Sequence, residues 1–536
     1  MASQIADSKH LRPASCLRQA VSILDCPGAM KSRSPLSWCF PIWLLLAWMA
    51  VDAHAEDLSR AVDDLVQKAM RRWEVPGVAV VIVRGDEVLY LKGHGVREHG
   101  RDEPVTPDTI FPLASCSKAF TTALMAQLVD AGVVRWDDPV RKHLPYFHLS
   151  DPNADALVTL RDLVSHRTGV APHDLLWYRA PWKHEEMIRR AGKLPLSKPF
   201  RATMQYQSVM FTAAGLSAAS AADKPWDELV KEKLFTPLGM KTASTSTAEA
   251  LKNPSHASGH NKDRDGKVQV VPWYVNPEPN PAGSINASAR DLAAWLQFQL
   301  AEGEFHGERL VSAEQLRATH SPETIIRLEG RVAADNPETQ QMSYGMGWVI
   351  QDYRGEKLIS HAGIIDGFRV HITMVPKQKL GLAILANLHA TRMNLSLSYQ
   401  IIDHLLKLPP RDWDDLYGKL AIDDELTEKL ALRRLELDRR PNTKPSLALE
   451  KYVGAYEHPA YGIAHIKLND GKLRWEWSGF HDPLEHYHFD TFLMATEERF
   501  FGQGLVEFAI EDGEVKGLKL LDLGFRRVGD TDGKGR

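Results

Sequence analysis

Ser115 and Lys118 stand one helical turn apart near the head of the stretch FPLASCSKAFTTALMAQLVDAGVVRWDDP (111–139). Downstream, Phe120, Leu124, Met125, Leu128 and Val129 recur at helical spacing, which predicts a buried helix carrying this pair on its first turn. Side chains at i and i+3 project together, so a hydroxyl and an amine become neighbours. The free N–H groups and positive dipole end of a helix N-terminus favour a developing alkoxide or oxyanion. An amine withdrawn from water loses basicity until it can exchange a proton near neutrality. The pair therefore has the parts for nucleophilic attack by Ser115 with Lys118 as a base. Short spacings of this kind arise by chance, but this is the only S-x-x-K in the 536 residues, and it opens a patterned helix instead of lying in a loop.

Two more stretches carry residue types suited to the same chemistry. Tyr206-Gln207-Ser208 opens the apolar segment VMFTAAGLSAA, and His361-Ala362-Gly363 ends a strand just before a turn. Singly, each is ordinary: tyrosine rings pack and histidines are satisfied locally. His166, in LVSHRTGV, has no partner visible in sequence and reads as structural. Cys116 lies between the serine and the lysine and reads as a small buried hydrophobe. His486 and His488 share one strand face, but two imidazoles do not make a zinc site, so no metal and no cofactor is expected.

The elements that must hold these residues follow from hydrophobic patterning. Residues 77–83 read as a buried strand, turned by Arg84-Gly85-Asp86 into a second at 87–92. From about 118 to 345 the pattern is mainly helical. Four strands at 348–353, 357–362, 368–375 and 380–385 then form an antiparallel meander, which the first hairpin can complete into one sheet. The expected fold class is α/β (α+β): an antiparallel sheet sandwiched with helices, plus an inserted helical region. Residues 404–446 are charge-rich and read as a helical linker. Beyond it, strands at 463–468 and 473–477, and at 506–510 and 515–520, flank two Asp-Gly turns, which suggests a small all-β barrel over 447–536.

Composition is that of an ordinary globular protein, with 44% hydrophobic and 25% charged residues and a net charge of −4 that gives no sign of nucleic-acid binding. Lys31 and Arg33 precede an apolar run at 38–51 and the small-residue pattern Ala53-His54-Ala55. Residues 1–55 therefore read as a leader with a signal peptide, its start lying at Met1 or at Met30, and the sheet-and-helix domain as 56–403. Cleavage after Ala55 would deliver a periplasmic or secreted product without a stable membrane anchor. Cys16, Cys26 and Cys39 fall in the leader, so the mature chain would hold one thiol and no internal disulfide.

The order of these motifs, Ser-x-x-Lys, Tyr-x-polar and His-x-Gly, resembles the serine penicillin-recognising enzymes, specifically the class C β-lactamase-like hydrolases. LVSHRTG (163–169), PLGM (237–240), PAGSINASARDLAAW (281–295), YGMGW (344–348) and HAGIIDGFRVHITMVP (361–376) add to the resemblance. It implies an acyl-enzyme on Ser115, proton handling by Lys118 and Tyr206, and a sheet edge including Gly363 lining the site. It also implies an oxyanion hole from the N–H groups of Ser115 and Ile364. Which of Lys118 and Tyr206 is the base stays open. The chain departs from the family where Ser208 replaces asparagine and His361 replaces lysine, two positions that touch substrate recognition. LEKYVGAYEHPAYG (449–462) through PLEHYHFDTF (483–492) resembles the lipocalin-like domain appended to some members. The expectation is an exported serine hydrolase of small peptides, amides or esters. A β-lactamase or D,D-peptidase acting on cell-wall peptides is the alternative, and a non-catalytic binding protein is the rival from another class. The expected partner is a small-molecule or peptide substrate, and homo-oligomerisation stays open.

Overall fold

The computed structural model describes the backbone of residues 40–263, 265–494 and 504–529, with side chains from Glu56 onward. The chain falls into two units, residues 1–56 and 57–536, and the sheet, the Ser-x-x-Lys turn and the barrel all belong to the second. The side chains of the expected signal segment lie outside the described residues. Among the described residues no helix is long and apolar enough to cross a membrane.

An eight-stranded antiparallel sheet forms the frame. Its strands are β1 (Gly77–Arg84), β2 (Glu87–Gly95), β3 (Thr324–Ile326), β4 (Met342–Tyr344), β5 (Val349–Tyr353), β6 (Glu356–Ile365), β7 (Phe368–Val375) and β8 (Leu380–Ala386). They lie in the order β2-β1-β8-β7-β6-β5-β4-β3, so the N-terminal hairpin closes onto the late meander through β1 and β8, with Val80 opposite Ile384. Successive side chains on a strand point to opposite faces. In β1, Val78, Val80 and Ile82 enter one core and Ala79, Val81 and Val83 the other, all fully buried. A strand apolar on both faces needs helices on both faces. One face is covered by α1 (Phe40–Trp73), through Val62, Val66 and Trp73, and by residues of the helix Met393–Leu405. The other is covered by α2 (Ser117–Asp130), α3 (Ser208–Ala222) and α4 (Ala289–Leu300). The Met393–Leu405 helix is α5, and α6 (Trp413–Asp438) follows it.

The structure buries α2 nearly all round, more completely than the single apolar stripe in its sequence requires. Phe120 on α2 stacks on Trp295 of α4 at 3.7 Å between ring centroids and 12° between planes. This contact ties the helix behind the Ser115 turn to the helix that packs on β1 and β8.

The C-terminal strands β9 (Gly454–His458), β10 (Gly462–Asn469), β11 (Lys472–Trp477), β12 (Phe480–His488), β13 (Thr491–Met494), β14 (Gly504–Glu511), β15 (Glu514–Leu520) and β16 (Leu523–Val528) close into a barrel. Its Asp-Gly turns take the left-handed conformation at both residues, Asp470 and Gly471 with φ 50° and 73°, Asp512 and Gly513 with φ 50° and 74°. That is the hairpin geometry whose twist matches the flanking strands. Tyr452, Tyr456, Phe492 and Phe508 meet edge to face among the barrel's buried residues. The barrel docks on the sheet-and-helix domain where Arg190 donates to the Ala460 carbonyl (3.1 Å) and the Gly479 N–H to that of Arg179 (3.0 Å).

Replacing Trp295 by alanine should lower unfolding stability by about 3–5 kcal/mol, the range for truncating a large buried aromatic. Denaturant unfolding followed by far-UV circular dichroism measures this, and a loss under about 1 kcal/mol would show that the stack does not anchor α2.

Candidate active site

The position of Ser115 differs slightly from the sequence expectation. Ser115 lies in a 3-10 turn, Ala114–Cys116, and α2 itself begins at Ser117. The chain arrives along the short strand Ile110–Pro112 and must bend sharply, which it does by placing Ala114 at φ 47°. A left-handed conformation costs a residue with a Cβ about 1–2 kcal/mol. Such positions persist where the surroundings over-determine them, active sites above all.

Lys118 is fully buried. Its Nζ lies 3.2 Å from Ser115 Oγ, 3.4 Å from Ser208 Oγ and 2.9 Å from the Ala282 carbonyl oxygen. Ala282 is itself fixed, because its N–H donates to Asn280 Oδ1 at 2.8 Å and Thr212 donates to the same oxygen at 3.0 Å. An ammonium fills all three contacts as donor, whereas a neutral amine has two N–H bonds and one lone pair. The carbonyl can only accept, so in the neutral form the lone pair is left to a serine hydroxyl. Burial lowers the lysine pKa from 10.5 to about 7, with Asp174 pulling the other way.

Tyr206 lies 4.8 Å from Lys118 Nζ, measured to the ring centroid. Its buried hydroxyl is near that of Ser115 without closing a well-formed hydrogen bond, a common state for catalytic contacts before substrate arrives. Burial raises the phenol's pKa, with the Ser115 contact opposing, so Tyr206 stands as a neutral proton donor. Ser208 opens α3, following Gln207, whose side chain accepts from the Val209 N–H.

His166, read from the sequence as structural, is held in place by backbone on both sides of Tyr206. It is fully buried, and its ring lies 4.3 Å from Tyr206, 4.6 Å from Tyr344 and 5.0 Å from Phe211 between centroids. The Gln207 N–H donates to its Nδ1 at 3.1 Å and the Gln205 N–H to its carbonyl at 2.8 Å, so His166 grips the chain on both sides of Tyr206. With Nδ1 accepting, the proton sits on Nε2, which is buried without an acceptor. Its partner groups come from distant parts of the chain, and only its place inside the LVSHRTG stretch marked it.

His361 is also buried and neutral. Its Nδ1–H donates to the Ala362 carbonyl (2.7 Å), and the Tyr344 hydroxyl donates to Nε2 (3.0 Å). Burial, and then the charge of Lys118, push its pKa down to about 3. Gly363 fills a different need. A Cβ there would lie 2.1 Å from the Leu113 carbonyl oxygen, so only glycine lets β6 press against the turn that carries Ser115. The Cys116 thiol, its pKa raised by burial, donates to the His361 carbonyl at 3.3 Å and ties the same two elements. One residue on, Ile364 keeps a 44% exposed side chain at this edge. Thus Ser115, Lys118 and Ser208 are in contact, Tyr206 adjoins them, His361 lies 6.2 Å from the Tyr206 ring, and the 363–364 backbone runs alongside. His486 and His488 stand apart, His486 Nε2 bonded to the Phe489 carbonyl, and no metal-binding cluster occurs among the described residues.

A sheet backed by helices, with a buried Ser-x-x-Lys pair beside a tyrosine, defines the serine hydrolases of β-lactamase fold. Residues 62–405 match the family described as Beta-lactamase, and the chain belongs to it, a family of hydrolytic enzymes. Residues 438–529 match a second family, described only as a domain of unknown function. Among curated relatives, the unguisins hydrolase ungD of Aspergillus violaceofuscus is 28% identical over 452 residues, 79% of each chain. Protein flp of Staphylococcus aureus is 22% identical over 65% of this chain and 67% of its own. Among solved structures, the octameric penicillin-binding protein homologue from Pyrococcus abyssi superposes with a TM-score of 0.57 at 21% identity, covering 87% of this chain and 99% of that one. EstCE1, a hydrolase with promiscuous acyltransferase activity, gives 0.56 at 16% identity over 66% of this chain and 99% of its own. These two structural likenesses speak to the fold.

The close approach at Gly363 generates a test. Gly363→Ala should lower kcat about a hundredfold or more while the circular dichroism spectrum stays native, because the added methyl pushes β6 off the Ser115 turn. Unchanged kcat would mean that the contact does not set the site's geometry.

Proposed function

We propose that the protein is an exported serine hydrolase, periplasmic or secreted, that forms an acyl-enzyme on Ser115 and cleaves small peptides, amides or esters. The observation that carries this reading is the dehydrated Lys118 amine, 3.2 Å from the Ser115 hydroxyl, with its pKa lowered to about 7. A buried base poised near neutrality beside a nucleophile has the arrangement acyl transfer requires. Export is supported by the basic pair Lys31 and Arg33, the apolar run and Ala53-His54-Ala55.

In this scheme Ser115 Oγ attacks the substrate carbonyl carbon while its proton passes to Lys118 Nζ. The N–H groups of Ser115 and Ile364 receive the oxyanion. Collapse of the tetrahedral species breaks the bond to the leaving group, which takes a proton from the Tyr206 hydroxyl, and the Lys118 ammonium restores that proton. Water then attacks the acyl-enzyme with Lys118 again accepting a proton, and as the second tetrahedral species collapses the ammonium gives that proton to the departing Ser115 Oγ, releasing the acid and restoring both groups. The raised pKa of Tyr206 favours this division of labour over a phenolate base. The rival role as a binding protein is disfavoured by the intact base, by aromatic packing inside the barrel and by a relative named as a hydrolase. Intact mass after incubation with an activated ester should show one adduct that Ser115→Ala abolishes. An adduct that survives in that variant, or that maps to Cys116, would overturn the scheme.

The neutral His361 bears on the substrate. A lysine there would offer a fixed cation to a β-lactam carboxylate, whereas this imidazole is uncharged at pH 7 and already bonded to Tyr344. Ser208 has a shorter reach than asparagine and is shared with Lys118. Together the two losses should lower kcat/KM for a chromogenic cephalosporin about a hundredfold or more relative to short-chain p-nitrophenyl esters or aminoacyl anilides. Faster turnover of the cephalosporin than of every ester and anilide would favour the β-lactamase alternative.

A further inference from the structure

Helix α6 begins firmly seated. Trp413 and Tyr417 are buried, Trp413 Nε1 donates to Asp403 at 2.8 Å, and Asp424 pairs with Arg331 (2.7 Å) and Arg392 (2.8 Å). Near its end it meets the barrel, where the Tyr487 hydroxyl donates to the Leu435 carbonyl and Arg439 to the Tyr487 carbonyl. Between these supports every residue from 422 to 434 is exposed. Ile422, Leu426, Leu430 and Leu437 are 59%, 55%, 61% and 68% exposed. At about 100° per residue these four fall within roughly 80° of arc, which makes them one stripe. A helical segment of this length is marginal in water by itself, and most helical stability comes from packing an apolar face.

The charges along α6 say what fits the stripe. Its first exposed half carries Asp423, Asp424, Glu425 and Glu428 and is strongly acidic, and its second carries Lys429, Arg433 and Arg434 with Glu436 and Asp438 beside the two arginines, which leaves it weakly basic. A second α6 laid antiparallel sets the acidic half against the weakly basic one, while a parallel one sets the two acidic halves side by side. We propose that α6 is a self-association helix, two copies of this chain pairing antiparallel about a two-fold axis close to Leu430. In that register Ile422 faces Leu437 of the other copy, Leu426 faces the aliphatic stem of Arg433, and Leu430 faces its own mate. Asp423 and Glu425 then reach Arg434 and Arg433, joining the pairs those arginines make with Asp438 and Glu436 of their own helix. The same surface patch serves both copies, as a two-fold interface requires. The stripe continues the bridge between catalytic region and barrel, so pairing would brace both.

Sedimentation of the full-length chain tests this. The protein should sediment as a dimer or a multiple of it, and Leu426→Glu with Leu430→Glu should halve the mass while hydrolase activity persists. A second set guards against misfolding: Asp423→Arg with Glu425→Arg should weaken association, and adding Arg433→Glu with Arg434→Glu should restore it. Oxidative cross-linking should join copies through Leu430→Cys but not through Leu437→Cys, with the unsubstituted chain as control. A monomer at every concentration, association indifferent to the leucine pair, or cross-linking through both cysteine positions would each overturn the proposal. So would binding to anionic phospholipid vesicles that the leucine pair abolishes, which would assign the stripe to a lipid surface.

Discussion

The site depends on keeping an amine out of water. Lys118 is fully buried, and the groups that replace its hydration shell are two serine hydroxyls and one carbonyl. Desolvation disfavours the ammonium, and among the described residues no carboxylate lies within ion-pair distance to restore it. Much of the surrounding architecture serves that burial. The all-round packing of α2, the Asn280 contacts that fix Ala282, and the rings of Tyr206 and Phe211 beside the amine all exclude solvent. A surface lysine at the same spacing would stay protonated and could take nothing from Ser115.

A second constraint is close backbone approach. The left-handed Ala114 and the bare Cα of Gly363 let a turn and a sheet edge touch, and neither is an interaction in the usual sense. Both are places where a side chain would intervene. The family likeness at low sequence identity is understandable in these terms, since the frame needs only apolar strands with covering helices, while the site needs a few positions of fixed size and chemistry.

Legibility in the sequence followed locality. The Ser115 and Lys118 pairing, the apolar β1, the meander from β5 to β8 and the Asp-Gly hairpins of the barrel rest on neighbours within a few residues, and each is present in the structure. His166 is structural as read, but its partners were not legible, because Gln207, Tyr206 and Tyr344 are not announced by its own surroundings in the chain. Ala282 escaped notice for a related reason: its contribution is a carbonyl, which every residue has. The 3-10 turn at Ser115 was hidden because helical periodicity locates a helix better than it locates its first residue. The charge-rich stretch ending α6 reads as a linker, and its stripe gains meaning only once nothing is seen to cover it.

Direct titration of Lys118 tests the central claim best. In protein carrying ¹³C at the lysine ε-carbon, the resonance missing from a Lys118→Met variant reports that amine alone. Its midpoint should fall near 7 instead of 10.5, and turnover should decline as pH drops through the same midpoint, because the ammonium that forms cannot accept the Ser115 proton. A midpoint near 10.5 would mean that Lys118 is an ammonium at neutral pH, and the account of it as the base would be wrong.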